Sequence, residues 1–203
     1  MRKFLFIFLF ALLAVVSSRA EYRKVATFTD NYRTHEVGVM VNKDGSWYAV
    51  VDFDSSSDAQ VTLVYSNSQL ESLQQFFIDL KSKYIDWVKV ARDNNVDKIT
   101  KRMPLESPTA VALWYDDDDT YTTTDTVVFN PLFSNSDESG RNFYVFNAVS
   151  IKDKDNPSKT NTVHMNFQNS MQLQGIINAL NPSRIREAAR RAASSSSVDD
   201  LFK

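Results

Sequence analysis

The chain has 203 residues, no cysteine, two histidines and only four glycines, with 23 basic residues against 25 acidic ones. The missing thiols exclude zinc–thiolate centres, disulfide frameworks and cysteine nucleophiles, and four scattered glycines form neither a phosphate loop nor a dinucleotide-binding turn. The acidic balance argues against a general polyanion binder, because phosphate tracking needs local positive charge.

Residues 1–20 read as a secretory signal. Arg2 and Lys3 precede an unbroken apolar run of thirteen residues, Phe4 to Val16, and Ser18-Arg19-Ala20 supplies a small-residue cleavage tripeptide. The run is shorter than the roughly 20 residues that cross a bilayer. No later segment has the length and apolarity to do so. The expectation is cleavage before Glu21 and a secreted or periplasmic chain with no membrane span. Left uncleaved, the same segment would be a membrane anchor. Cleavage leaves 20 basic residues against 25 acidic, a net charge near −5.

Period-two patterning opens the mature chain. Val25 to Phe28 reads as a short strand. Val37, Val39 and Val41 form the inward side of a second, and Asn42-Lys43-Asp44-Gly45 is a hairpin turn signal. Trp47 to Phe53 is the return strand, Asp54 to Asp58 a polar loop, and Val61 to Tyr65 a fourth strand. The period then changes. Leu70, Leu73, Phe77, Leu80, Tyr84 and Trp87 recur at three- and four-residue spacing, which predicts an amphipathic helix fading near Asp93-Asn94-Asn95. Ser68 with Glu71 fits a capping box at its start.

The second half repeats this order. Ala110 to Tyr115 is a strand, Asp125 to Phe133 holds another ending at Pro131, Asn142 to Val149 is a third and Thr162 to Phe167 a fourth. Lys152 to Lys159 is a charged loop. Ser170 then caps a helix with Leu173, Ile176, Ile177 and Leu180 on its apolar side and Pro182 just beyond it. The two third strands follow a glycine and carry aromatic pairs, Gly45-Ser46-Trp47-Tyr48 and Gly140-Arg141-Asn142-Phe143-Tyr144. The strand-to-helix junctions Tyr65-Ser66-Asn67-Ser68 and Phe167-Gln168-Asn169-Ser170 also agree. The expectation is an α+β protein of two β-β-β-β-α repeats, residues 21–98 and 105–182, each an antiparallel sheet covered by one helix. Residues 183–203 add a basic helix from Ser183 to Ala193, a flexible serine linker from Ser194 to Ser197, and an acidic-apolar tip.

Candidate chemistry is sparse. His35 stands beside Glu36 at the start of a strand and His164 within an alternating strand. Both read as structural or surface residues, and no Gly-x-Ser-x-Gly nucleophile elbow accompanies them. Asp116, Asp117, Asp118 and Asp119 form an acidic run between strands. It offers Ca²⁺ ligands but lacks EF-hand spacing, and its simpler reading is a solvated loop. Asp52, Asp54 and Asp58 are a looser set of the same kind. No cofactor is expected. In the strand pairs Trp47-Tyr48 and Phe143-Tyr144, adjacent rings face opposite sides. One ring of each pair therefore packs inward, and the other is free to meet a ligand or partner. The tip Asp199, Asp200, Leu201 and Phe202 is a candidate partner-binding tail.

The duplicated order resembles the PUR-repeat and whirly families of single-stranded nucleic-acid binders. The features that carry the likeness are the Lys43-Asp44-Gly45-Ser46-Trp47-Tyr48 hairpin, the Val61 to Tyr65 strand, the Ser68 to Tyr84 helix and the Gly140 to Tyr144 segment. The resemblance implies that Trp47 and Phe143, or Tyr48 and Tyr144, stack bases. The tail tip is similar to the acidic, aromatic tails by which single-stranded DNA-binding proteins recruit partners, although Lys203 departs from that pattern. The leading expectation is an exported, non-enzymatic binding or protein-interaction module. The alternative is a PUR- or whirly-like binder of single-stranded nucleic acid, and the third a hydrolase with dispersed carboxylates. A protein is the expected partner, and edge strands allow copies of the chain to pair.

Overall fold

Alternating β-branched and aromatic residues build most of the molecule. The computed structural model describes residues 21–42, 44–55, 61–115, 121–135, 142–152, 158 and 160–199. The signal-like segment, the Asp116 to Asp119 run and the residues Asp200, Leu201 and Phe202 lie outside them. The fold is α+β with two antiparallel sheets. No helix among the described residues is long and apolar enough to cross a membrane.

Sheet A contains β1 (Glu21–Thr29), β2 (Thr34–Val41), β3 (Trp47–Ser55) and β4 (Val61–Ser66), side by side in that order. Helix α1 (Leu70–Asp93) and the short strand β5 (Ile99–Arg102) follow. The chain then returns to sheet A with β6 (Ala110–Tyr115), which pairs with β4, and β7 (Tyr121–Val127), which pairs with β6. Sheet B is β5, β8 (Leu132–Asn135), β9 (Phe143–Lys152) and β10 (Thr160–Phe167). Two helices close the chain, α2 (Ser170–Ala179) and α3 (Pro182–Asp199). The sheets meet at β3, which pairs with β2 and β4 along its length and with β10 at its last residues, Asp54 opposite His164 and Ser55 opposite Val163.

The Asn42–Gly45 turn forms as its sequence predicts. Asn42 N–H donates to the Ser46 carbonyl at 2.8 Å, and Gly45 takes φ +79°, a left-handed conformation that glycine adopts without a Cβ clash. Gly38 serves a different purpose. A Cβ there would lie 2.5 Å from the Tyr22 ring and 2.9 Å from the Arg23 carbonyl, so the missing side chain is what lets Tyr22 lie across β2.

Helix α1 turns Leu70, Leu73, Phe76, Phe77, Leu80 and Tyr84 into the core, with Trp87 packed at its margin. Fully burying a side chain of this kind contributes about 1.5–3 kcal/mol relative to exposure, so this face anchors the helix. The helices cross between the halves of the chain. The later turns of α1 set Tyr84 and Trp87 against Phe133 of β8, with ring centroids 6.1 and 5.5 Å away. Meanwhile α2 packs on β1, and α3 on β1 and β2.

Several boundaries differ from the sequence expectations. The first strand runs the full length Glu21–Thr29 rather than Val25 to Phe28. A single 3₁₀ turn, Asn67–Gln69, precedes α1, and the capping pair is Ser66 with Gln69, whose Oε1 accepts the Ser66 backbone N–H at 2.9 Å. Ser68-x-x-Glu71 matches the same pattern two residues later, but the turn already occupies those positions. Asn169, not Ser170, caps α2, accepting the N–H groups of Met171 and Gln172. Six strands follow α1 among the described residues, where four were expected. The added strand is β5, and the stretch around Pro131 divides into β7 and β8, because proline has no N–H to continue a ladder. Pro182 begins α3 instead of ending α2, the first-turn position where its missing N–H costs nothing. The expected serine linker is helical through Asp199. Ile185, Ala189 and Ala192 bury one face of this helix, and Arg186 bonds Glu71 of α1. An anchored helix propagates through serines at little cost per residue.

Candidate functional site

A cleft of about 1120 Å³ opens where the later turns of α1 pass the start of β9. Ile85, Val88, Lys89 and Arg92 of α1 form one wall. Asn142, Tyr144 and Phe146 come from the β9 side, Asn166, Gln168 and Asn169 from the β10–α2 junction, and Asn31 and Tyr32 from the β1–β2 turn. Tyr84 fastens the cleft's inner end, its hydroxyl 2.9 Å from the Phe143 carbonyl and 2.8 Å from the Gln168 carbonyl. It donates to one of them at a time. Burial raises the Tyr84 phenol pKa, and the Arg92 charge opposes that rise.

Strand periodicity decides which rings reach the cleft. Phe143 is 3% exposed and stacks on Phe133 with centroids 5.4 Å apart, so its ring belongs to the core. Tyr144 and Phe146, on the opposite side of β9, lie 5.7 Å apart and tilted by 41°. Tyr32, 59% exposed, joins them from the turn. Its hydroxyl accepts from Asn166 Nδ2 at 2.9 Å.

The turn carrying Tyr32 is held from beneath by a buried pair. His35 Nε2 lies 3.1 Å from Asp30 Oδ1, and both residues are 3% exposed or less. The imidazole stacks on Phe28 at 4.9 Å. Asp30 Oδ1 also accepts the backbone N–H groups of Tyr32 and Arg33. Burial pushes the Asp30 carboxyl upward, but the His35 contact and these N–H donors outweigh it and hold the pKa below its ordinary 3.8. Asn31 N–H donates to the Asn166 carbonyl and Gln172 Nε2 to the Asp30 carbonyl, which docks the turn on β10 and α2.

Two cations, Lys89 and Arg92, line the cleft. Between Lys81 and Arg102 there are seven basic residues and three acidic ones. Lys83 and Lys101 approach the Trp87 ring at 6.0 and 5.3 Å.

The remaining sequence candidates lie elsewhere. Trp47 packs against the main core and Tyr48 against a small cluster of Met40, Val50, Val64 and Leu113 on the other face of sheet A. Neither lines the cleft, so Trp47-Tyr48 and Phe143-Tyr144 are not brought together. His35 is buried and paired, and His164 is half-buried on β10. Asp52 accepts from Thr62 Oγ1 at 2.7 Å, and Asp58 lies outside the described residues. Among the described residues no cluster of three or more potential ligands forms a metal site. Asp199 is the last residue of α3.

Tyr32, Phe146, Asn166, Lys89 and Arg92 were not singled out by the sequence. Phe146 could have been, because Tyr144 and Phe146 are two apart on one strand and must share a side. The others come together only through the fold. Comparison with protein-family models, curated proteins and solved structures gives no match for this chain.

Proposed function

We propose that this chain is an exported, non-enzymatic binding module whose ligand occupies the cleft between α1 and β9. The observation that carries this reading is the cleft's lining, in which Tyr32, Tyr144 and Phe146 share one space with several carboxamides and with Lys89 and Arg92. Rings supply contact area at low entropic cost, and amides and cations fix orientation. Asp93 is the one carboxylate among the described lining residues, so the groups present are suited to holding a molecule rather than to paired acid–base chemistry. Export rests on the signal-like residues 1–20. The test is amide NMR with a panel of defined peptides, sugars and nucleotides. Cleft binding predicts that resonances of Tyr32, Tyr144 and Phe146 move together. Shifts confined to α3 or to the β1 edge would reject it.

Single-stranded nucleic acid is the second candidate, favoured by the basic segment from Lys81 to Arg102, whose Lys89 and Arg92 share the cleft with Tyr32, Tyr144 and Phe146. It goes with a whirly-like duplication of residues 21–98 and 105–182, in which β6 and β7 of the second unit extend sheet A while β8, β9 and β10 lie in sheet B. Anisotropy with a labelled oligonucleotide tests it. Binding should weaken steeply with salt and fall when Lys89 and Arg92 become alanine.

A further inference from the structure

One wall of the cleft carries a hydrogen-bonding pair whose needs narrow the ligand. Asn166 Nδ2 donates to the Tyr32 hydroxyl oxygen, and Asn166 Oδ1 is buried with no partner among the described residues. The accessible partner is therefore Tyr32, whose hydroxyl accepts from Asn166 and keeps a hydrogen to donate and a second lone pair to accept. A hydroxyl group answers both, whereas a phosphate oxygen answers donors alone.

The cleft's size and the pairing of β9 argue against a single small ligand and against an added peptide strand. At about 1120 Å³ it exceeds the roughly 300–1,000 Å³ typical of a single small-ligand pocket. Strand β9 is paired with β8 on one side and β10 on the other, so a peptide cannot add there as a strand. Recognition falls to side chains. Tyr144 and Phe146, tilted by 41°, present two differently inclined ring faces, which suits a chain of successive saturated rings that bend at each linkage. Lys89 and Arg92 lie one turn apart on α1 and face the same space. With Asp93 they leave the wall net positive.

We propose that the cleft binds an acidic oligosaccharide. Its ring faces rest on Tyr144 and Phe146, one hydroxyl meets the Tyr32 hydroxyl, and a carboxylate meets Arg92 and Lys89. This inference rests on the cleft being the binding site, and the experiment separates the two.

The full chain, labelled with ¹⁵N, is titrated with tetragalacturonate, a hyaluronan tetrasaccharide, cellotetraose and octathymidylate. The expected result is that an acidic sugar shifts the Tyr32 and Tyr144 amides and the Asn166 side chain, and binds about tenfold more tightly than cellotetraose. Arg92→Ala should erase that preference, and Tyr144→Ala should weaken both sugars. Equal binding of cellotetraose overturns the acidic assignment. Octathymidylate shifting these resonances while the sugars do not overturns the sugar and leaves the cleft standing. No probe shifting them overturns the cleft as well.

Discussion

Sheet A hides both faces of its central strands, whereas sheet B hides one. In β4 five consecutive residues are buried, and Met40, Val50, Val64 and Leu113 form a small cluster on the side away from the helices. In β10, and at the start of β9, buried and half-buried residues alternate. A sheet covered on both sides has no room for a ligand and stabilises the fold. A sheet covered on one side keeps its outer residues free to differ from what packing demands. The rings and amides of the cleft therefore gather around sheet B.

The largest effect is expected at the β1–β2 turn, which docks on β10 and α2. Asp30→Ala should destabilise the protein by about 4 kcal/mol in denaturant unfolding, because it leaves His35 buried without its carboxylate. The pH dependence carries a sign. The Asp30 pKa is depressed below 3.8, so its stabilisation is complete above that value and is lost as pH falls through the folded pKa. Stability of the parent protein should thus drop more steeply than that of Asp30→Asn below about pH 4. Parallel acid limbs would show that the carboxylate charge contributes nothing.

Next comes the direct comparison of faces. Leu113→Ala on sheet A should cost about 3 kcal/mol, while Tyr144→Ala on the outer side of sheet B should cost about 1 kcal/mol. Equal losses would erase the distinction between the sheets. Gly38→Ala should cost about 2 kcal/mol, through the clash with Tyr22 and the Arg23 carbonyl. Combining it with Tyr22→Ala should recover part of the loss, which a purely backbone effect would not allow. The smallest change runs the other way. Tyr65 is fully buried, and its hydroxyl has no partner among the described residues. Tyr65→Phe should therefore raise stability by about 1 kcal/mol, measured by thermal unfolding.

The same contrast governs what was legible in the sequence. The alternation in β2, the Asn42–Gly45 turn and the apolar face of α1 are local signals, and each element lies where its spacing puts it. Strand β5 was not legible, because Ile99-Thr100-Lys101-Arg102 is short, and Lys101 and Arg102 are charged, as an edge strand tolerates. The helical serines of α3 were missed for a related reason. Their conformation follows from the anchorage of Ile185 and Ala189, not from their own preference. At the cleft, the chain displays the Phe143-Tyr144 pair, one ring in and one out. Tyr32 and Asn166 are far apart in sequence, and no local period joins them.

Strand β3 has a kinetic consequence. Its last residues pair with β10, joining Asp54 to His164, positions roughly 110 apart along the chain, and loop closure on that scale slows folding. Until β10 is available, the seam of the two sheets cannot form, so synthesis of the first half alone does not commit the protein to its final shape.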